Sequence, residues 1–436
     1  MKVLMFGWEF PPHISGGLGT ASYGLTKGLS SIEEIEVIFV VPKAYGDEDQ
    51  NAIRLIGAGD ISIVRKNIDI EGFRKKMEFL EVKSGIVPYV DPEDYWRLAE
   101  KKVSGECRFV QVDDEGKIQF SGKYGTDLLT EIANYAVVSS VIAEEMKFDL
   151  IHAHDWLAYP AGIAAKEASG KPLVIHVHAT DFDRSGGKVN PDVYAIEKRG
   201  MDVADRIITV SNLTRNTVIE KYHIDPAKVI TVYNAVEPVV EKKSSWFGKG
   251  MDEKIVTFLG RITMQKGPEY FISAAHRVLQ KMNNVRFVMA GSGDLMNKMI
   301  SHAAALKITD KFHFTGFLKG NDVFRMLHLS DIYIMPSVSE PFGISPLEAM
   351  QSNVPVIISR QSGVAEILTH AVKVDYWDID AMADAIYGIL KYPALSKVFI
   401  KFGKQEVDDL KWENSALKVR EVYKSAIGRT QGHRMN

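Results

Sequence analysis

The chain has very little cysteine: Cys107 is the only one in 436 residues. That excludes an internal disulfide framework and fits a reducing compartment. Long apolar runs are also missing. None reaches the roughly 20 residues of a membrane-spanning helix, and the opening run Met1–Gly7 is too short for a secretory leader, with charged Glu9 close behind it. The expected location is therefore the cytoplasm. Charge of one sign is lacking as well. A formal net charge of −3 gives no general reason to expect nucleic acid or an anionic membrane as partner. There is no low-complexity tract and no evident internal repeat. The length calls for two or more domains, each with its own core.

The most informative stretch is Ser339-Glu340-Pro341-Phe342-Gly343-Ile344-Ser345-Pro346-Leu347-Glu348-Ala349-Met350. It follows the apolar run Asp331–Pro336, a buried-strand pattern. Pro341 and Gly343 break regular structure. Ser345 then reads as an N-cap, Pro346 as the first helical residue and Glu348 as the capping-box partner. A strand, loop and helix start of this kind points free N–H groups, here those of Gly343, Ile344 and Ser345, at whatever lies in the loop. Glu340 and Glu348 flank it.

The N-terminal half begins with a strand over Lys2–Phe6 and a loop containing Gly16-Gly17-Leu18-Gly19. Leu18, Ala21, Leu25 and Leu29 then recur at helical spacing. Glycines between strand and helix allow positive φ and a close backbone approach, a cradle for phosphate or sugar. Residues 35–42 read as the second strand. Residues 43–125 carry apparent strands (51–56 and 77–82) and an aromatic segment over 88–96 read as local packing. Residues 127–146 read as a helix. A strand follows, ending in the polar tip His154-Asp155-Trp156, where active sites of open α/β sheets gather. Pro172–Ala179 is a further strand, with His176 and His178 on one face. With Asp181 and Asp183 nearby these could form a metal set, but alternation on a buried strand produces such pairs by itself, and no metal is expected. Ser211 reads as the N-cap of the helix after the strand at 204–211. The run at 229–236, which contains Asn234, closes this half.

Glu237–Gly250 is polar and aperiodic and reads as a linker. The parallel-sheet pattern restarts at Ile255–Leu259. Arg261 sits at that strand's end and Lys266 beside the start of the next helix, a placement that suits a diphosphate. Val285–Ala290 feeds a second glycine loop beginning at Gly291. The alternation of strand and helix continues through Ile358. The segment from Trp412 to Tyr423 reads as an amphipathic helix.

These motifs resemble a known family. The stretch SEPFGISPLEAM is similar to the two-glutamate motif of retaining nucleotide-sugar glycosyltransferases of the GT-B fold. The Gly-Gly-Leu-Gly loop, His-Asp-Trp and Gly-Arg-Ile-Thr-x-Gln-Lys-Gly resemble those of the glycogen and starch synthases. Ile14 departs from that family's lysine and Thr20 from its usual aspartate. The resemblance implies two doubly wound, Rossmann-like domains facing across a cleft (residues 1–236 and 251–411, joined by 237–250), with a C-terminal helix (412–436) crossing back to the first. It implies transfer of glucose from ADP-glucose or UDP-glucose to the non-reducing 4-OH of an α-1,4-glucan, with retention. Arg261 and Lys266 would take the diphosphate charge, Glu340 the sugar hydroxyls and Glu348 the ribose. Asp155 and His178 would face the sugar from the other domain, with Gly16, Gly17, Asn234 and Gly291 lining the donor site. No carboxylate nucleophile stands out, so a front-face displacement is implied, independent of metal or other cofactor. A small-sugar acceptor, as in sucrose-, trehalose- or mannoside-forming relatives, is the alternative. The nucleotide stays open, as does oligomeric state, a homo-oligomer being allowed.

Overall fold

The computed structural model describes residues 1–13, 16–49, 53–63, 112–125, 127–238 and 252–433. Cys107, Ile14, the strand expected over 77–82, the aromatic segment 88–96 and residues 239–250 of the expected linker lie outside the described residues. The chain forms two compact units. Unit 1 is Met1–Ala235 with Trp412–Asn436, and unit 2 is Val236–Lys411.

In unit 1 the strands are β1 (Lys2–Phe6), β2 (Glu36–Val41), β3 (Arg54–Gly57), β4 (Leu150–His154), β5 (Leu173–Val177), β6 (Arg206–Thr209) and β7 (Val229–Thr231). They form one parallel sheet in the order β3-β2-β1-β4-β5-β6-β7. Strands such as Glu-Val-Ile-Phe-Val-Val are apolar almost throughout because a parallel sheet is covered on both faces. The covering helices include α1 (Gly17–Ser30), α2 (Leu128–Glu145), α3 (Asp155–Ser169), α4 (Asp181–Ser185), α5 (Pro191–Val203) and α6 (Asn212–Tyr222). Ser211 caps α6, its hydroxyl accepting from Thr214 N at 3.0 Å, as the sequence implies.

Unit 2 has β8 (Lys254–Leu259), β9 (Val285–Ala290), β10 (Phe312–Gly316), β11 (Ile332–Met335), β12 (Val356–Ser359) and β13 (Val372–Val374). Its parallel sheet runs β10-β9-β8-β11-β12-β13. Helices α7 (Pro268–Leu279), α8 (Met296–Ala305), α9 (Asn321–Leu329), α10 (Ser345–Gln351), α11 (Ile379–Lys391) and α12 (Pro393–Asp408) accompany it. The apolar core of this unit packs Phe258, Phe271, Phe287 and Ile334 with Ile386 of α11.

The last helix, α13 (Trp412–His433), belongs to unit 1. The reason lies in α1. A Cβ on Gly24 would stand 2.3 Å from the Trp412 ring, and one on Gly28 2.7 Å from the Trp412 carbonyl oxygen. Two glycines one turn apart thus open the groove that Trp412 fills. Ser415 Oγ donates to Tyr233 O at 2.7 Å, and Arg206 Nη2 donates to Ser425 Oγ at 2.7 Å.

In both sheets the strand order reverses once, between β1 and β4 in unit 1 and between β8 and β11 in unit 2. Ligand crevices in open α/β sheets form beyond the strand C-termini at such reversals.

Candidate active site

At the unit 2 reversal, three loops are bound together by main-chain contacts. Val338 N donates to Gln265 O at 2.9 Å, and Ile262 N to Ser292 O at 2.8 Å. Gly267, at φ +64°, lets the Pro336 carbonyl in; a Cβ there would be 2.2 Å from that oxygen. This delivers Lys266 to the loop after β11. Its Nζ lies 2.5 Å from Glu340 Oε2, and Ser337 Oγ donates to the same oxygen at 3.2 Å. Glu340 is 7% exposed, and its main chain is fixed by Glu340 N→Gln361 O and Gly363 N→Glu340 O, both 2.9 Å. The sequence expectation gave Lys266 and Glu340 separate duties, one to phosphate and one to sugar. The structure joins them in an ion pair, so neither charge is presented alone.

Arg261, half-buried at the end of β8, reaches Gln265 Oε1 with Nη2 at 3.5 Å. Gly343 takes φ +100°, the left-handed region that favours glycine. The capping box expected at Ser345 is absent. α10 begins at Ser345 itself, with Ile344 at the N-cap and no side-chain cap. Ser345 Oγ instead pairs with Tyr333 OH at 2.7 Å, so a buried tyrosine on β11 fixes the helix start. Because α10 is only seven residues long, its dipole is short, and the N–H groups of Gly343, Ile344 and Ser345 count as individual donors. Glu348 is half-buried in the first turn, and burial pushes its carboxyl up to about 7.

Gly291 serves the scaffold. At φ +143° a Cβ would stand 1.8 Å from Gly260 O, and its own N–H donates to Gly316 O at 2.9 Å. Its glycine is demanded by that crossing of two backbones, and its amide is engaged inside the protein rather than offered to a nucleotide.

At the unit 1 reversal the residues behave differently. Gly16 is the N-cap of α1 in extended backbone, and a Cβ on Gly16 or Gly17 would meet nothing within 4 Å. Neither has a positive φ, so the conformational reason expected for them does not hold. Asp155 opens α3 at φ +61° and is only 1% exposed. Its Oδ2 accepts from Arg184 Nη2 at 2.7 Å, and Arg184 Nη1 reaches Glu197 Oε1 at 3.0 Å. Tyr222 OH also donates to Glu197. Burial pushes the Glu197 carboxyl up to about 7, against the pull of Arg184, and raises Asp155 in the same way. Asp155, expected to face a sugar, is thus clamped inside a buried charge network that holds α3, α4 and α5 together.

His178 lies just past β5, with Nε2 2.9 Å from His154 Nδ1. Burial, with Arg184 adding to it, holds its imidazole down to about 3, hence neutral at pH 7. Asn234 is buried beyond β7. Asp181 and Asp183, considered beside the histidines as a metal set, are used by the backbone. Asp183 Oδ2 accepts from Thr180 N at 2.8 Å and Asp181 Oδ2 from Asn190 N at 2.6 Å. Sequence reasoning missed Arg184, Ser337 and Tyr333. None sits in a recognisable motif, and only the fold brings each to its partner.

Two family patterns match the chain. "Glycosyl transferases group 1" matches residues 240–406 and "Glycosyltransferase Family 4" matches residues 117–239. An uncharacterised glycosyltransferase of Methanocaldococcus jannaschii is 28% identical, over 98% of this chain and 99% of its own length. A glycogen synthase of Mycobacterium tuberculosis is 24% identical over 98% and 95%. Among solved structures, sucrose-phosphate synthase from Thermosynechococcus elongatus superposes with a TM-score of 0.70 at 16% identity, covering 98% of this chain and 99% of that one. With the two patterns tiling residues 117–406 and a relative aligned from end to end, the chain is a glycosyltransferase of the GT-B type.

Proposed function

We propose that the protein transfers glucose from ADP-glucose or UDP-glucose to the non-reducing 4-OH of an α-1,4-glucan, with retention at the anomeric carbon. The observation that carries this reading is the Lys266–Glu340 pair, held with Arg261 at the strand reversal of unit 2. A cation and a carboxylate in contact suit a ligand that is an anion joined to a polyol. Diphosphate oxygens would draw Lys266 Nζ and the Arg261 guanidinium, and sugar hydroxyls would donate to Glu340. The full-length likeness to a glycogen synthase supports the acceptor.

In this reading the bond from C1 to the diphosphate oxygen breaks and the bond from C1 to the acceptor O4 forms on the same face. The acceptor proton passes to the departing phosphate oxygen. Negative charge grows on the diphosphate as the bond lengthens, and preorganised donors aimed there lower the barrier. Lys266, Arg261 and the N–H groups of Gly343, Ile344 and Ser345 are assigned that work. Glu348 is assigned to the ribose hydroxyls, and neutral His178 to a sugar hydroxyl. The donor chemistry is proposed to need no metal, and the protein to act in the cytoplasm. No helix among the described residues is long and apolar enough to cross a membrane.

A second reading, transfer to a small sugar or sugar phosphate, is favoured by Ile14, which departs from the lysine of the glucan synthases, and by the likeness in fold to sucrose-phosphate synthase. The test is glucosyl transfer from each nucleotide-sugar to glycogen and to small sugars, with Lys266→Ala alongside. Transfer to glycogen that collapses in the variant supports the first reading. Transfer confined to small acceptors replaces it with the second.

A further inference from the structure

Unit 1 contains a group of histidines to which the proposed transfer assigns no contact with substrate. His152 and His154 are two apart on β4 and so share a face of the sheet. In the parallel register His154 stands opposite His176 on β5. The three side chains are 0%, 0% and 2% exposed. Their rings lie 4.3 Å (His152–His154), 5.5 Å (His152–His176) and 5.3 Å (His154–His176) apart between centroids. One nitrogen from each can be chosen so that all lie within 4.8 Å of one another.

The hydrogen bonds sort these nitrogens into two kinds. The Nδ1 atoms of His152 and His154 are occupied, by Tyr423 OH at 2.6 Å and by His178 Nε2 at 2.9 Å. The Nε2 atoms of His152 and His154, and both ring nitrogens of His176, are buried and have no hydrogen-bond partner among the described residues. A buried polar atom left unpaired forfeits its hydration with nothing in return, so several in one place call for a shared partner.

We infer that His152, His154 and His176 form a buried binding site for a borderline divalent transition-metal ion, of which zinc is the type. Neutral imidazole is the ligating form, and the buried, unpaired ring nitrogens of all three histidines are its donor atoms. A ligating histidine usually gives its other ring nitrogen to a fixed partner, and His152 and His154 have that partner in Tyr423 and His178. The donor set is three imidazoles without carboxylate, which excludes calcium and magnesium and fits zinc, cobalt, nickel or copper. Zinc–nitrogen bonds of about 2.0–2.1 Å in tetrahedral array put ligand nitrogens roughly 3.3 Å apart, so the stacked rings tilt inward as the ion enters. The ion is structural. It ties β4 and β5 to α13 through His152 and Tyr423, and it fixes His154, which orients His178.

The test is elemental analysis of the purified chain, followed by titration of chelator-treated protein with zinc or cobalt(II). The expected result is a stoichiometric ion that survives gel filtration, a melting temperature that rises on adding zinc, and a visible d–d band with cobalt. His152→Asn and His176→Gln should each lose the retained ion and the band. The inference is overturned if the wild-type chain, offered zinc, cobalt, nickel and copper in turn, retains no stoichiometric ion and shows no change in melting temperature. Full retention by both variants overturns it equally. Where a variant fails to fold, the wild-type titration decides.

Discussion

Unit 1 and unit 2 have the same plan, a parallel sheet whose order reverses once, yet their reversals carry opposite chemistry. In unit 2 the rim is charged: Lys266 is paired with Glu340, and the same strand-end loops carry half-buried Arg261 and lead to half-buried Glu348. In unit 1 the ionisable groups are sealed in. Asp155 and Glu197 are each 1% exposed and share Arg184, and the histidines are held neutral by burial. Topology therefore decides where a site forms, and burial decides what it can do. In the proposed reading the unit 2 rim meets a diphosphate, and its cations Lys266 and Arg261 keep some contact with water. A rim of neutral imidazole offers hydrogen bonds and costs less to desolvate.

The comparison is broken most directly at Lys266. Lys266→Ala is expected to lower kcat on the order of a hundredfold or more, in steady-state transfer assays. His178→Ala removes one neutral hydrogen bond of about 1 kcal/mol and should cost only about five- to tenfold. Equal losses would mean that unit 1 contributes charge stabilisation after all.

Next is the buried network. Arg184→Met leaves two carboxylates without their cation and should destabilise unit 1 by about 3–5 kcal/mol, measured by denaturant unfolding. The loss should deepen as pH rises and those carboxyls ionise. A loss independent of pH would mean that Arg184 acts through packing alone.

Glu348 gives a smaller and pH-dependent effect. Its folded-state value of about 7 lies above the ordinary 4.5, so the folded state holds the proton more tightly. Its contribution to stability therefore falls as pH climbs from about 4.5 to 7. Glu348→Gln should flatten that slope in thermal unfolding, and should remove any strengthening of nucleotide binding between pH 6 and 8. A wild-type slope kept by the variant would remove Glu348 from the titration. Last, Gly16→Ala places a methyl where nothing lies within 4 Å, in extended backbone. Stability should change by no more than about 0.5 kcal/mol, so a fall in donor affinity with unchanged unfolding would reveal ligand contact there.

Much of the fold is legible in the sequence because buried parallel strands are continuous apolar runs and glycine breaks mark their ends. Residues 35–42 and 127–146 and the Ser211 cap emerge close to where the structure has them. The site is legible only in its outline. Lys266 and Glu340 are 74 positions apart, and no local rule shows that they touch. Ser345 looks like a cap because Ser, Pro and Glu have the right spacing, but Tyr333 offers its hydroxyl a better partner. Asp155 looks solvent-facing because it follows a strand, yet Arg184, 29 positions later, folds over it.

By itself the sequence determined the class of fold, two alternating α/β units, and the places where charged side chains meet glycine loops. Hydrophobic period and turn chemistry are local properties, and a linear reading contains them. The tertiary structure decided which charges pair, which glycines serve packing and which histidines share a pocket. Gly291 is fixed by a carbonyl from Gly260, and His152 meets Tyr423 across 271 positions. Those outcomes depend on which side chains the packed sheets bring within hydrogen-bonding distance and which they shut away from water.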